Sequence, residues 1–376
     1  MPTSESFDPL PASADWAHLH SALSLAEQAI GLSDPNPRVG CVITSAGGQV
    51  LGQGHTQQVG QAHAEVMALR DAAQQGNTVV GATAYVTLEP CAFFGRTPPC
   101  CDALIAAGLS RVVVALADPH PKVAGAGLAR MRAAGIEVRV LDPQHPLAVA
   151  AAALNVGFLT RMARGTPWVR MKVACSIDAQ TALRNGQSQW ITGPEARRDG
   201  HAWRRRAQAV LTGIGTVLAD NPRLSVRELP THCQPLRVVL DSHARTPLQA
   251  QILAEPGATL VCGLGEPAAA ATLRSAGAQW LALPAQGERV DLQALLQALG
   301  QREVNELHVE AGAVLNGALL QQGLVDELLL YVAPTLLGPG RPQAVLPELT
   351  ALTQATRWRW LAPQLLGSDL RLRALR

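Results

Sequence analysis

At 376 residues the chain exceeds the ~250 to 300 that one hydrophobic core usually holds, so two domains are expected. Its 48% hydrophobic content fills two cores, while a net charge of +2 and only 3% aromatics exclude the basic, aromatic-lined face of a nucleic-acid binder. No stretch reaches the ~20 unbroken apolar residues of a membrane span, so neither a nucleic acid nor a membrane is expected as partner. Met1 to Asp15, with three acidic residues and no basic one, reads as a disordered lead-in and not as a signal or transit peptide. Seven cysteines without a secretion signal point to a reducing cytoplasm, not a disulfide framework.

The first predicted element is an amphipathic helix from Trp16 to Ile30, with Trp16, Leu19, Leu23, Ala26 and Ile30 on one stripe. Asp34-Pro35-Asn36-Pro37 stops it. Val39 to Ile43 reads as a buried strand, turned at Gly47-Gly48 into a second strand ending at Gly52-Gln53-Gly54. Val66, Leu69 and Ala73 give residues 64–73 helical spacing, which places His63 and Glu65 at a helix start. Residues 82–89 are strand-like and run into Pro90-Cys91. A helix over residues 100–107 follows, with Gly108 as its C-cap. Strands over 111–117 and 136–141, separated by a loop at 118–127 and a helix to Ala134, lead to a helix over 147–162. Basic residues 161–167, with Gly165 and Pro167, mark a boundary between domains at 14–162 and 166–376.

The second half restarts with a strand over 168–174 and a helix over 194–206, Pro194 standing in its first turn. Strands at 209–212, 236–240, 259–261 and 307–310 alternate with helices at 268–276, 292–299 and 313–322. Three more strands, at 327–333, 357–361 and 369–372, finish the chain. Such alternation implies α/β architecture, with a sheet covered on both faces.

The chemistry concentrates at His63-Ala64-Glu65, Pro90-Cys91 and Cys100. One imidazole and two thiolates suit tetrahedral zinc, and three protein ligands leave the fourth position open for water, the catalytic arrangement. Zinc brings the pKa of such a water toward ~7, and Glu65 is placed to shuttle protons to a leaving ammonia. H-x-E followed by P-C-x-x-C is the zinc nucleobase-deaminase signature; here eight residues, Ala92 to Pro99, separate the cysteines. A closed structural zinc site would need a fourth ligand, for which Cys101 and His55 are the nearby residues. Cys101 follows Cys100 along a helix, points about 100° away and is expected to be packed. In the second half, Gly312 opens a helix after a strand, where backbone N–H groups could hold a phosphate. Arg204 and Arg227 suit a sugar phosphate.

Asn36-Pro37-Arg38-Val39-Gly40-Cys41, His63-Ala64-Glu65, Leu88-Glu89-Pro90-Cys91 and Gly95-Arg96-Thr97-Pro98-Pro99-Cys100 together resemble the riboflavin-biosynthesis pyrimidine deaminases. The long gap between cysteines is what that family has. Lys172-Val173-Ala174-Cys175-Ser176-Ile177-Asp178, Ser188-Gln189-Trp190-Ile191-Thr192, residues 216–222 and Val309-Glu310-Ala311-Gly312 resemble the reductase fused to it. The resemblance spans about residues 16–375. It implies a cytidine-deaminase-like three-layer α/β/α domain followed by a dihydrofolate-reductase-like α/β domain. The implied reactions are hydrolytic deamination of 2,5-diamino-6-(5-phosphoribosylamino)pyrimidin-4(3H)-one on Zn2+, then NADPH reduction of the ribosyl group to ribityl. A homo-oligomer through the reductase domain is also implied.

Carried over residue by residue, Ala174, Trp190, Thr216, Asp220, Ser242 and Gly312 fall at cofactor positions. Asn36, Ser188, Arg204, Leu224, Arg227 and Glu310 fall at substrate positions. Lys172 and Asp178 also lie in the reductase motif, with an interior ion pair as their plainer reading. Two departures stand out. The family usually has Ser-His after the first zinc cysteine, where this chain has Ala92-Phe93, and His where this chain has Thr56, with His55 one place earlier.

Overall fold

The computed structural model describes residues 13–118 and 125–376. Most of the expected N-terminal lead-in and the middle of the loop at 118–127 lie outside the described residues. The chain divides into two compact units between Arg164 and Gly165.

The first unit runs α1 (Ser13–Glu27), β1 (Gly40–Thr44), β2 (Val50–His55), α2 (Ala64–Gln74), β3 (Thr83–Val86) and α3 (Cys100–Ala106). It continues with β4 (Arg111–Val114), α4 (Ala126–Ala133), β5 (Glu137–Val140), α5 (Pro146–Leu154) and α6 (Val156–Arg164). The strands form one sheet in the order β2-β1-β3-β4-β5. β1 pairs antiparallel with β2 and β3, whereas β3, β4 and β5 are parallel. Alternation along the strands builds the two faces. Cys41, Ile43, Ala84, Val86, Val112 and Val114 pack with residues of α2, α3 and α4. Tyr85, Val113 and Ala115 pack with Leu19 of α1 and with Ala148 and Ala151 of α5. The result is three layers, helix on sheet on helix.

Two expectations need correction here. Trp16 is not on the buried stripe of α1: it is 38% exposed, and Asp15 is buried in its stead beside Leu19, Ala22 and Ala26. A buried carboxylate needs partners, and Asp15 has them: the Arg111 guanidinium at 2.8 Å through each of two nitrogens and the Tyr85 hydroxyl at 2.7 Å. The helix expected over 147–162 is two helices, α5 and α6, bent by 73°. Asn155 sits at the break. Its side-chain oxygen accepts the Arg38 backbone N–H at 2.7 Å, and its amide donates to the Arg38 carbonyl at 2.9 Å. The bend carries the chain across the sheet, since Ala148 belongs to one core layer and Phe158 to the other. Among the described residues no single helix is long and apolar enough to cross a membrane.

The second unit opens with β6 (Trp168–Ser176), β7 (Gln180–Leu183), α7 (Pro194–Arg206), β8 (Ala209–Gly213), α8 (Ile214–Asp220), β9 (Leu236–Leu240) and α9 (Gln251–Ala254). Next come β10 (Thr259–Leu264), α10 (Ala268–Ser275), β11 (Gln279–Leu283), the short pair β12 (Ala285–Gln286) and β13 (Arg289–Val290), and α11 (Leu292–Gln301). The remainder is β14 (Glu306–Val309), α12 (Ala313–Gln321), β15 (Glu327–Ala333), β16 (Gly340–Pro342), β17 (Arg359–Trp360), β18 (Gln364–Leu366) and β19 (Asp369–Leu375). Its main sheet has the order β11-β10-β9-β8-β14-β6-β15-β19-β17, with β18 beside β19. It is parallel from β11 to β15 and antiparallel beyond.

β6 alternates strictly. Val169, Met171, Val173 and Cys175 join Leu307 and Val309 of β14 in an apolar layer against α11 and α12. On the other face Arg170, Lys172, Glu306, Glu310 and Glu327 carry charge, and α7 covers it with Trp203, Arg204 and Arg206. The fully buried Arg170 donates to Glu306 at 2.7 Å and to Glu327 at 2.8 Å while lying 4.4 Å from the Trp203 ring. The elements β7, α8, α9, β11, β12, β13, β16 and β18 lie outside those expected from the sequence.

Candidate active sites

His63 caps α2, Glu65 lies in the first turn of that helix, and Cys100 is the first residue of α3. Cys91 stands in the loop beyond β3. The fold brings one nitrogen and two sulfurs together: their ligand atoms all lie within 4.8 Å of one another. His63 Nδ1 is 3.7 Å from Cys91 Sγ and 3.3 Å from Cys100 Sγ, and the Cys100 backbone N–H donates to Cys91 Sγ at 3.3 Å. Nδ1 is therefore the nitrogen that faces the two sulfurs, and Nε2 lies 3.4 Å from the Thr97 hydroxyl. Among the described residues neither Cys101 nor His55 joins the group; Cys101 is fully buried in the core. The two sulfurs titrate as a pair. Hydrogen bonds from Cys100 and His63 push Cys91 down, while Cys91 and burial push Cys100 up. Burial, then the Cys91 charge, raises the Glu65 carboxyl to about 7.

The two departures in this half have definite consequences. Thr56 is buried, and its hydroxyl accepts the Val39 N–H at 3.2 Å, so it closes the β1–β2 ladder. His55 pairs with Gly40, whose added Cβ would strike α1 at Ala22; Gly54 pairs with Cys41, and its Cβ would strike α2 at Met67. His55 therefore faces α1, across the sheet from Glu65 on α2, and does not stand in for the histidine that the family usually has at position 56. Phe93 is half-buried and Phe94 is 77% exposed. Asn36 is half-buried in the turn before β1, its N–H donating to Ser33 O at 2.9 Å.

In the second unit three expected residues converge. Glu310, just beyond β14, accepts from Arg204 through two nitrogens, one at 2.9 Å, and from Lys172 at 3.3 Å. Lys172 and Asp178 are not a pair: Asp178 accepts from Ser176 and from the Leu337 and Gly338 N–H groups. Arg204 and Arg227 both donate to the Ser225 carbonyl, at 3.2 and 3.4 Å. Burial, and then the repulsion between two guanidinium groups sharing one carbonyl oxygen, lowers the pKa of Arg227. An anion placed there would relieve the repulsion. Leu224 is buried beside them in a left-handed conformation, φ 55°.

Of the expected cofactor residues, Gly312 caps α12, and a Cβ added there would stand 3.5 Å from the Thr216 hydroxyl in the first turn of α8. Ala174 pairs with Tyr331 on β15, and the Ser242 carbonyl accepts the Leu264 N–H. Asp220 is exposed at the end of α8, and Trp190 is 69% exposed with the Arg197 guanidinium 4.5 Å from its ring. Ser188 is half-buried in the loop after β7. The contacts described above link neither Ser188 nor Trp190 to the Glu310 group.

Two family models cover most of the chain: the cytidine and deoxycytidylate deaminase zinc-binding region matches residues 12–116, and the RibD C-terminal domain matches residues 167–371. The riboflavin biosynthesis protein RibD of Escherichia coli strain K12 is 44% identical over 372 residues, covering 95% of this chain and 98% of that protein. The chain belongs to the RibD family. RibD of Acinetobacter baumannii (form 1) has a structure similar to this one, with a TM-score of 0.86 and 43% identity over 96% of this chain and 98% of that one. A Thermotoga maritima diaminohydroxyphosphoribosylaminopyrimidine deaminase/5-amino-6-(5-phosphoribosylamino)uracil reductase gives a TM-score of 0.84 at 28% identity with the same coverage. As a RibD protein, the chain is a bifunctional deaminase and reductase of riboflavin biosynthesis. Its first unit is cytidine-deaminase-like and its second dihydrofolate-reductase-like.

Several residues around these sites had no role assigned from the sequence. Glu89 is buried, and its carboxylate accepts the backbone N–H groups of Asp118, Gly125, Gly127 and Leu128 at 3.1 to 3.4 Å, tying the strand end beside Cys91 to α4. His201 accepts the Arg227 N–H at 3.4 Å, and burial lowers its pKa to about 4. Ser225 offers the carbonyl shared by two arginines. Each acts through a backbone group or through a partner distant in sequence, which spacing cannot reveal.

Proposed function

We propose that the first unit removes the 2-amino group of 2,5-diamino-6-(5-phosphoribosylamino)pyrimidin-4(3H)-one. The second unit then reduces the ribosyl group of the product to ribityl with NADPH. The observation that carries the reading is the convergence of His63, Cys91 and Cys100 beside a buried Glu65. It stands in a chain that aligns over 96% of its length with a protein whose name states both reactions.

One imidazole and two thiols fit zinc by softness and number. When bound, the ion supplies a water acidic enough to attack at neutral pH. Glu65 takes a proton from the attacking water and delivers it to the departing amine, which leaves as ammonia. Thr97 orients the His63 ring through Nε2. In the second unit, Arg204 and Arg227 grip the phosphate of the ribosyl arm. The N-terminus of α12 at Gly312 and the facing Thr216 suit a cofactor phosphate, and the Thr212 hydroxyl, buried without a partner one residue before the cap of α8, fits a polar group of NADPH.

Incubating the purified protein with the diamino substrate, with and without NADPH, tests both assignments. Ammonia release without NADPH, followed by NADPH oxidation when it is added, is the expected result. A second reading, a reductase whose deaminase unit has altered specificity, draws on Thr56 being committed to Val39 and on His55 facing α1. It predicts no ammonia from the diamino compound but full oxidation of NADPH with the pre-deaminated one.

A further inference from the structure

His308 lies in the middle of β14, fully buried, and neither ring nitrogen has a hydrogen-bond partner. A polar group buried without a partner costs stability and calls for an explanation. Its surroundings are charged. Arg170 is its register partner on β6, Lys172 is two residues further along that strand, and Val210 flanks it on β8. Glu306, on the same strand and face, is engaged by Arg170 and Arg206. Ahead lies Glu310, whose Oε1 is 3.5 Å from His308 Nε2. That oxygen accepts Arg204 Nε, while Oε2 accepts Arg204 Nη2 and Lys172 Nζ. The imidazole thus stands just outside a carboxylate already supplied with donors.

We propose that His308 is a positioning residue, a standby donor to Glu310. When the anionic group of the substrate draws Arg204 away, the Nε2–H of His308 closes onto the vacated Oε1. Glu310 then keeps its orientation and its hold on Lys172 while Arg204 changes partner. Burial outweighs the pull of the adjacent Glu310 carboxylate and, with Arg170 and Lys172 alongside, disfavours the imidazolium, so the ring is neutral and exchanges a hydrogen bond, not a proton. The inference rests on the reading that Arg204 and Glu310 line the reductase substrate site.

Three variants test it: His308→Phe and His308→Leu, which lack the donor, and His308→Gln, which keeps an N–H. Steady-state reduction of pre-deaminated substrate is measured with substrate and NADPH varied in turn, beside thermal melts. The expected result is that Phe or Leu melts at or above the parent temperature, because an unpartnered polar group has gone. The KM for substrate rises about 10-fold, the loss of one hydrogen bond to a charged group. The KM for NADPH stays within about twofold, and Gln recovers most of the loss. A core-filling role predicts the same melts with an unchanged KM for substrate, and that result overturns the inference. So does a Gln variant no better than Phe. Glu310→Gln separates the two layers of argument. If it raises the substrate KM while His308→Phe does not, only the standby role fails; if Glu310→Gln leaves that KM unchanged, the placement of the substrate site fails with it.

Discussion

Cys100 and Cys101 are consecutive, yet only the first turns its sulfur toward His63. One residue along a helix is a rotation of about 100°, which sends the second thiol into the core with Leu88 and Leu104. Cys100→Ser should therefore strip the metal while Cys101→Ser keeps it. Metal analysis giving the reverse would shift the ligand by one position. A second residue-scale prediction concerns Arg227, which shares the Ser225 carbonyl with Arg204. Arg227→Ala should raise the KM for the phosphorylated substrate at least ~10-fold, since hydrogen bonds to charged groups are worth roughly 1.5 to 3 kcal/mol. Arg227→Lys should recover only part, because a point charge cannot make the bidentate fork. Varying NADPH separately checks the assignment; a variant weakened toward NADPH alone would put Arg227 in the cofactor site. Ala179 offers a stability test. Its φ of 60° is a conformation natural to glycine, so Ala179→Gly should stabilise the second unit by about 1 kcal/mol, read as a rise in Tm.

At the scale of elements, charge decides where two segments dock. α1 is anchored through Asp15, which Arg111 and Tyr85 hold below its ordinary carboxyl range against the opposing effect of burial. A depressed folded pKa means the stabilisation is complete above the unfolded value, ~3.9, and fades as pH falls through it toward the folded value. Arg111→Met should lower the Tm of the first unit near pH 7, and the gap to the parent should narrow as pH falls from about 4 toward 3. An equal gap at both pH values would mean that the pair is not ionic. The loop after α9 depends on Arg237, fully buried on β9. Its guanidinium donates to the carbonyls of Ile252, Glu255, Pro256 and Gly257 and to the Thr259 hydroxyl. An ammonium has three donors and no fork, so Arg237→Lys should lose several of these bonds and destabilise the second unit by roughly 2 to 4 kcal/mol. A melt within a degree of the parent would count against this.

At the scale of the whole molecule, each unit has its own core and its own site residues. Glu65→Gln should keep zinc and abolish ammonia release, a loss of order 10² to 10⁴, while reduction of pre-deaminated substrate continues. Loss of both activities in a folded, zinc-loaded variant would show that the sites are coupled. Much of this organisation was legible in the sequence. The cluster of His63, Cys91 and Cys100 able to hold a metal, the two-unit plan and most strands follow from local pattern, because donor chemistry is written in residue type and strand alternation has a period of two. The Lys172–Glu310 pair was not legible. Its partners stand 138 residues apart, and Asp178, six residues from Lys172, was as good a partner on paper. The break at Asn155 was equally hidden, since the Arg38 backbone that its side chain engages lies 117 residues away and leaves no mark on the local pattern. By itself the sequence determined which donor types the chain brings to its first site, one imidazole, two thiols and a carboxylate, since these are written in residue identity. Only the tertiary structure decided which charges meet on the α7 face of the second sheet, why Asp15 is buried where Trp16 was expected, and where an imidazole is left without a partner. Those outcomes depend on the register of strands far apart in the chain, and register is settled by the packing of the whole sheet.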